Sequence, residues 1–239
     1  MCTVSFIARR RGYLLAMNRD EQLSRVAGLP PKIISVSGRK VICPTEPGGG
    51  TWISVNDAGV TFALINWYSV RSRVKKNPVS RGGIVRSLSA QASPASASER
   101  LAEFPLPHTN PFRLIGFFPI TEQIIEWRWD FQKLVRKIYP WRAQQFISSG
   151  FDEPEAQRVR GRTFRLAQQQ NSAGTVDWLR RLHRSHKPTC GPFSTCMHRA
   201  DAATVSYTEV VVSAGRIEMR HTAGAPCRQL RNLKSIQII

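Results

Sequence analysis

Short apolar segments recur along this chain, most of them in pairs around turn residues. Residues 3–8 and 13–17 flank the basic turn Arg9-Arg10-Arg11-Gly12 and predict a β-hairpin. Residues 51–55 and 59–67 do the same around Asn56-Asp57-Ala58-Gly59, as do residues 112–119 and 122–130 around Ile120-Thr121,. A fourth pair spans residues 204–213 and 216–221, and single short strands are expected at 32–35, 40–43, 144–148 and 235–239. Within residues 123–129 apolar and polar positions are mixed, the mark of a strand buried mainly on one face. The helical period appears at residues 84–88, with Ser80 as N-cap, at 98–103, at 153–170 with Val159, Phe164 and Leu166, and at 175–186 with Trp178, Leu179 and Leu182 turned inward,. The last two segments carry arginines on their other face. Residues 22–32, with Pro30-Pro31, and the Ala/Ser-rich residues 89–98 read as loops, and Pro226-Cys227-Arg228 begins a tail,. Strands, a helical pair, strands, two helices and strands again give an α+β order. It predicts two stacked antiparallel sheets covered by helices, built by residues 1–239 as one domain.

Composition changes this picture little. At 239 residues and 41% hydrophobic, the chain is long enough to bury a substantial core,. No run approaches the ~18 apolar residues of a membrane-crossing helix. The first residues lack a secretory h-region, so a cytoplasmic protein is expected, with Cys2, Cys43, Cys190, Cys196 and Cys227 as reduced thiols,. Charge adds more. The formal net charge is +19, concentrated in runs such as Arg71-Ser72-Arg73-Val74-Lys75-Lys76 and Arg158-Val159-Arg160-Gly161-Arg162. That balance favours anionic partners. No zinc-finger spacing, helix-turn-helix pattern or aromatic RNA-binding signature accompanies it, so nucleic acid is not the expected partner.

Candidate chemistry gathers in the first hairpin. A Cys2 exposed by removal of Met1 would carry a thiol and a free α-amine on one residue. The amine titrates near ~7.7–8.0 and the thiol near ~8.5, so one can act as base to the other. That is the logic of an N-terminal nucleophile. The hairpin returns Arg19 and Asp20 beside the start of the first strand. There an arginine favours the thiolate, and an aspartate can hold the amine. Elsewhere the signals are thinner. Gly48-Gly49-Gly50 lacks the Lys-Ser/Thr of a phosphate loop. Cys43-Pro44 as a haem thiolate reads better as a strand ending at proline. Cys190, Cys196 and His198, with His183 and His186 upstream, lack the close cysteine pairs of a structural zinc site, so no metal is expected,.

Met1-Cys2-Thr3-Val4 followed by Ala16-Met17-Asn18-Arg19-Asp20-Glu21 resembles the NRDE family, which includes the eukaryotic transport-and-Golgi-organisation proteins. The resemblance continues in Gly49-Gly50-Thr51-Trp52-Ile53, Ala63-Leu64-Ile65-Asn66-Trp67, Ser80-Arg81-Gly82-Gly83, Phe112-Arg113-Leu114-Ile115 and Ser206-Tyr207-Thr208-Glu209-Val210. More distantly the chain is similar to cysteine N-terminal-nucleophile (Ntn) hydrolases. This likeness implies a four-layer αββα sandwich with Cys2 opening a central strand, and a loop over residues 22–32 crossing the mouth of the site. It implies Asn66 as an oxyanion donor and Ser149 where hydrolases of this type place a second amide. It also implies Arg199 as the arginine that relatives bring near the nucleophile. The activity implied is hydrolysis or acyl transfer at the carbon–nitrogen bond of a small, anionic amide, with no cofactor. The alternative is a non-catalytic carrier of haem or an acyl ligand in lipid or haem trafficking. The oligomeric state is left open.

Overall fold

The computed structural model describes residues 2–230 and 233–238. Among these described residues, thirteen strands form two antiparallel sheets. The first sheet has six strands in the order β10 (Gln144–Ser148), β1 (Cys2–Arg9), β2 (Gly12–Gln22), β11 (Ala202–Ser213), β12 (Arg216–Ala223) and β13 (Lys234–Ile238). The second runs β3 (Leu29–Val36), β4 (Arg39–Thr45), β5 (Ile53–Asn56), β6 (Thr61–Asn66), β7 (Phe112–Phe118), β8 (Gln123–Trp129) and β9 (Leu134–Tyr139). The predicted hairpins are all present. The expected strand at 235–239 is β13, whose last predicted residue, Ile239, lies outside the described residues.

The inner faces of the two sheets share one apolar layer. Val4, Phe6, Tyr13 and Leu15 of the first sheet pack against Ile53, Val55, Ile65 and Phe117 of the second. Phe6 lies 5.1 Å from Phe117, centroid to centroid and nearly parallel. Each outer face is covered by helices. On the seven-stranded sheet, Ile84, Val85 and Leu88 of α1 (Gly82–Leu88) and Ala97 and Leu101 of α2 (Pro94–Ala102) cover Phe62, Leu64, Leu114 and Trp127. On the six-stranded sheet, Phe164 of α3 (Glu153–Gln168) and Trp178, Leu179 and Leu182 of α4 (Val176–Arg184) cover Ile7, Leu14, Ala16 and Tyr207. Four layers, αββα, result. Because both faces of β1 and β2 are covered, these strands read as continuous apolar runs rather than as alternation. A fully buried Leu or Phe contributes ~1.5–3 kcal/mol through desolvation, so these three layers are the main stabilising term.

Five elements differ from the sequence-based expectation. β3 begins at Leu29 and runs through Pro30-Pro31, with its register shifting between Leu29 and Lys32. A strand tolerates the missing N–H groups only at a sheet edge or a bulge, and β3 offers both. The other edge strand, β9, was not expected; its Arg136 and Lys137 are exposed, so it lacks an apolar period. α2 starts at Pro94, where the Ser93 side chain accepts from the Ser96 N–H. Its buried Ala97 and Leu101 are sparse within an Ala/Ser-rich stretch. The tail at Pro226 folds as a short helix, α5 (Pro226–Gln229). At α1 the capping position falls to Arg81, and Ser80 Oγ instead accepts from the Gly82 N–H at 3.3 Å.

Candidate active site

Cys2 is the first residue of β1, an interior strand of its sheet. It pairs with Arg19 on β2 and with Ser148 on β10. The closing pair Arg9↔Gly12 of the hairpin sets the first of these registers, so residue 2 can face only residue 19,. The Cys2 N–H donates to Ser148 Oγ at 3.1 Å. The side chain enters the layer between the sheets, where it is 6% exposed at the floor of a cleft of about 280 Å³.

Alternation along β2 divides the tetrapeptide Asn18-Arg19-Asp20-Glu21 between two faces. Arg19 and Glu21 reach the cleft side. The Arg19 guanidinium lies 4.5 Å from the Trp52 ring centroid and donates to Glu46 Oε1 at 2.8 Å and Glu21 Oε2 at 3.2 Å. Arg25 crosses to the same two carboxylates. Asn18 and Asp20 serve the helical side. Asn18 Nδ2 donates to the carbonyls of His183 and Thr195 at 2.9 and 2.8 Å. Asp20 also lines the cleft, but its carboxylate is engaged behind it. Arg160 of α3 donates to Oδ2 at 3.1 Å and Thr204 Oγ1 to Oδ1 at 2.7 Å. Both side chains of the Asp20–Arg160 pair are fully buried.

Burial pushes the Cys2 thiol above its ordinary value, and the Asp20 carboxylate adds to the rise. Arg19 and the Asp20 backbone work against it. A resting neutral thiol follows, which needs an adjacent base to become a nucleophile.

Asn66 ends β6 on the opposite wall of the cleft, and its Nδ2 donates to Tyr68 Oη at 2.8 Å. The structure therefore brings Cys2, Arg19, Asp20 and Asn66 to one cleft. Ser149 and Arg199 do not line it. Ser149 Oγ donates to the Phe151 carbonyl at 2.6 Å and accepts from the Phe151 N–H, shaping the turn into α3. Arg199 stacks 5.0 Å from the Phe151 ring centroid and pairs with Asp201 at 2.7 Å. Ser148, one residue earlier, is the hydroxyl that meets Cys2. No sequence signal gives it, because β10 lies 146 residues away. Arg160 was also missed: it sits in a run of arginines assigned to the helix face away from the core, yet it is fully buried. Trp52 lies within the quoted Gly49–Ile53 motif, and Glu46 lies three residues before it. Larger depressions lie elsewhere, one of about 520 Å³ beside Arg113 and Arg128 and one of about 740 Å³ between α3 and α4. Neither is lined by a cysteine or a histidine, and a third, of about 770 Å³, is lined by His186, Cys190 and Cys227 but by no carboxylate.

Among solved structures, the fold is similar to penicillin V acylase from Agrobacterium tumefaciens, with a TM-score of 0.53 and 11% identity over 93% of this chain and 83% of the acylase. It is likewise similar to the conjugated bile acid hydrolase from Clostridium perfringens, with a TM-score of 0.52 and 12% identity over 98% of this chain and 92% of the hydrolase. No curated protein matches it in sequence. Residues 1–125 match the family described as Transport and Golgi organisation 2. The resemblance read from the sequence thus holds both in family and in Ntn-hydrolase-like fold.

Proposed function

This chain belongs to the Transport and Golgi organisation 2 family, and we propose that its Cys2 is an N-terminal nucleophile acting on the carbon–nitrogen bond of a small amide once Met1 is removed. The observation that carries the reading is the placement of Cys2: thiol in the cleft opposite Arg19, nitrogen on the Ser148 hydroxyl. The α-amine takes the thiol proton as Sγ attacks the carbonyl carbon. Asn66 Nδ2, turning from Tyr68, donates to the oxyanion. Collapse of the tetrahedral adduct expels the amine, which leaves with the proton held by the α-ammonium, and a thioester remains. Water, deprotonated by the same α-amine, then releases the acid; an incoming amine in its place gives acyl transfer. Two of the structures that the fold resembles are named an acylase and a hydrolase, and that activity class is the one carried over here.

The cleft also bears on the ligand. At about 280 Å³ it lies at the lower edge of the ~300–1,000 Å³ usual for small-molecule sites,, which suits a short acyl or amide group better than a haem macrocycle. Arg25 and Arg81 at its wall offer a counter-charge to an anionic substrate end. Five thiols, none in a disulfide, suit a reducing compartment such as the cytoplasm. Among the described residues no helix is long and apolar enough to cross a membrane.

Intact mass of the purified protein and turnover of an amide panel test the reading. Loss of Met1, selective alkylation of Cys2, and turnover that falls at least ~100-fold in a folded Cys2→Ala variant are expected. Retained Met1, or equal turnover by the variant, removes Cys2 from the mechanism. Binding of haem or an acyl-coenzyme A without turnover would turn the reading to a carrier.

A further inference from the structure

On the far side of the Asp20–Arg160 pair, four side chains from three separate segments converge. His186 follows α4, Cys196 and His198 precede β11, and Cys227 lies in α5. Their nitrogen and sulfur ligand atoms all lie within 4.8 Å of one another. His198 Nε2 sits 3.6 Å from Cys196 Sγ and 3.5 Å from Cys227 Sγ. A tetrahedral zinc bonded at ~2.0–2.1 Å to nitrogen and ~2.3 Å to sulfur separates such a pair by about 3.5 Å. The His186 and His198 rings meet edge to face, 5.1 Å between centroids. His186 Nε2 is buried without a hydrogen-bond partner, a costly state that a ligand bond would relieve.

We propose that His186, Cys196, His198 and Cys227 form a Cys₂His₂ site for a structural zinc ion. Two thiolates neutralise the divalent cation, two imidazoles complete a tetrahedron, and no open position is left for water or substrate, the pattern of a structural rather than catalytic centre. Cys190 and His183, which the sequence placed with this group, stand apart. Cys190 is exposed, and His183 is spent on Asn18 and Ser5. The fourth ligand, Cys227, comes from the C-terminal tail.

The site has a job in the fold. The segment between α4 and β11 contains no long element, yet it delivers the Pro192 carbonyl to Arg160 at 3.0 Å and the Thr195 carbonyl to Asn18 at 2.8 Å. A metal joining this segment to α5 would hold both carbonyls in place behind the nucleophile. The inference does not depend on the activity of Cys2.

Metal analysis of the full chain, expressed with zinc and purified without chelator, tests it. About one zinc per chain should survive gel filtration, and cobalt in its place should give tetrahedral d–d bands with thiolate-to-cobalt charge transfer. Cys196→Ser and Cys227→Ser should lose the metal, whereas Cys190→Ser keeps it. Stripping wild-type protein should speed proteolysis between residues 185 and 201, and zinc should restore resistance. Wild-type protein that holds far less than one equivalent and shows no thiolate–cobalt band overturns the proposal without recourse to any variant. So does a Cys196–Cys227 disulfide in freshly purified protein.

Discussion

The two faces of β2 handle charge in opposite ways. Toward the helices, Asp20 and Arg160 are fully enclosed; Thr204, Thr3 and the Pro192 carbonyl take up further donors and acceptors of the pair, while Arg160 Nε is buried without a partner. Toward the cleft, Arg19 shares Glu21 and Glu46 with Arg25, whose side chain is half exposed. A closed pair tolerates no loss of a partner, because the survivor is a charge without water. An open network of two arginines and two carboxylates can lose or redirect one contact at little cost, and so has room for a substrate's charge. Residues that adjoin in sequence thus do different work, one set fixing the strand and the other facing the cleft.

The largest effect should come from breaking the closed side. Asp20→Ala leaves Arg160 buried and uncompensated, and is expected to cost ~3–5 kcal/mol in urea denaturation. Combining Asp20→Leu with Arg160→Met should recover much of that loss; if the double variant is no more stable than the single, the pair is not what fixes this face. Acid probes the same face less severely. Burial, with Arg160 nearby, pushes His183 down to about 3, while an unfolded histidine titrates near ~6.5. Between these values the unfolded chain binds the extra proton, so the stabilising term is complete above pH ~6.5 and is lost as the pH falls below it. A buried histidine adds up to ~1.4 kcal/mol per pH unit to that slope, and His221, pushed down to about 4, contributes similarly. His183→Gln should flatten the slope between pH ~6.5 and ~5 by up to one histidine's share; an unchanged slope would place the sensitivity elsewhere. On the open side, Arg19→Met should cost only ~1 kcal/mol, since Arg25 still holds both carboxylates,. Its signature is chemical: alkylation of Cys2 at neutral pH should slow by roughly tenfold. A stability loss as large as that of Asp20→Ala would erase the contrast between the faces.

How much of this was legible depends on distance along the chain. The Cys2–Arg19 pairing could be read because one tight turn sets the register of a single hairpin. The layers could be read because covered sheets leave apolar runs. Ser148, Arg160 and Cys227 could not, since each meets its partner through contacts more than twenty-five positions apart. The charge runs misled in a specific way. Arg113 and Arg128 clasp the fully buried Glu126, and Arg180 and Arg220 share the buried Glu209. A basic composition therefore conceals arginines committed to the interior. One edge strand escaped for the opposite reason: β9 faces solvent and carries no apolar period.

The position of β1 between β2 and β10 also sets an order of events on the ribosome. β2 follows within a few residues, but 146 positions separate Cys2 from Ser148. At roughly 5–20 residues per second, synthesis leaves on the order of ten seconds before β10 can arrive. During that interval the Ser148 hydroxyl has yet to cover the Cys2 nitrogen, so the removal of Met1 that the proposed mechanism requires would meet an uncovered strand. On that proposal, unmasking of Cys2 and completion of the sheet would be separated in time by strand order alone.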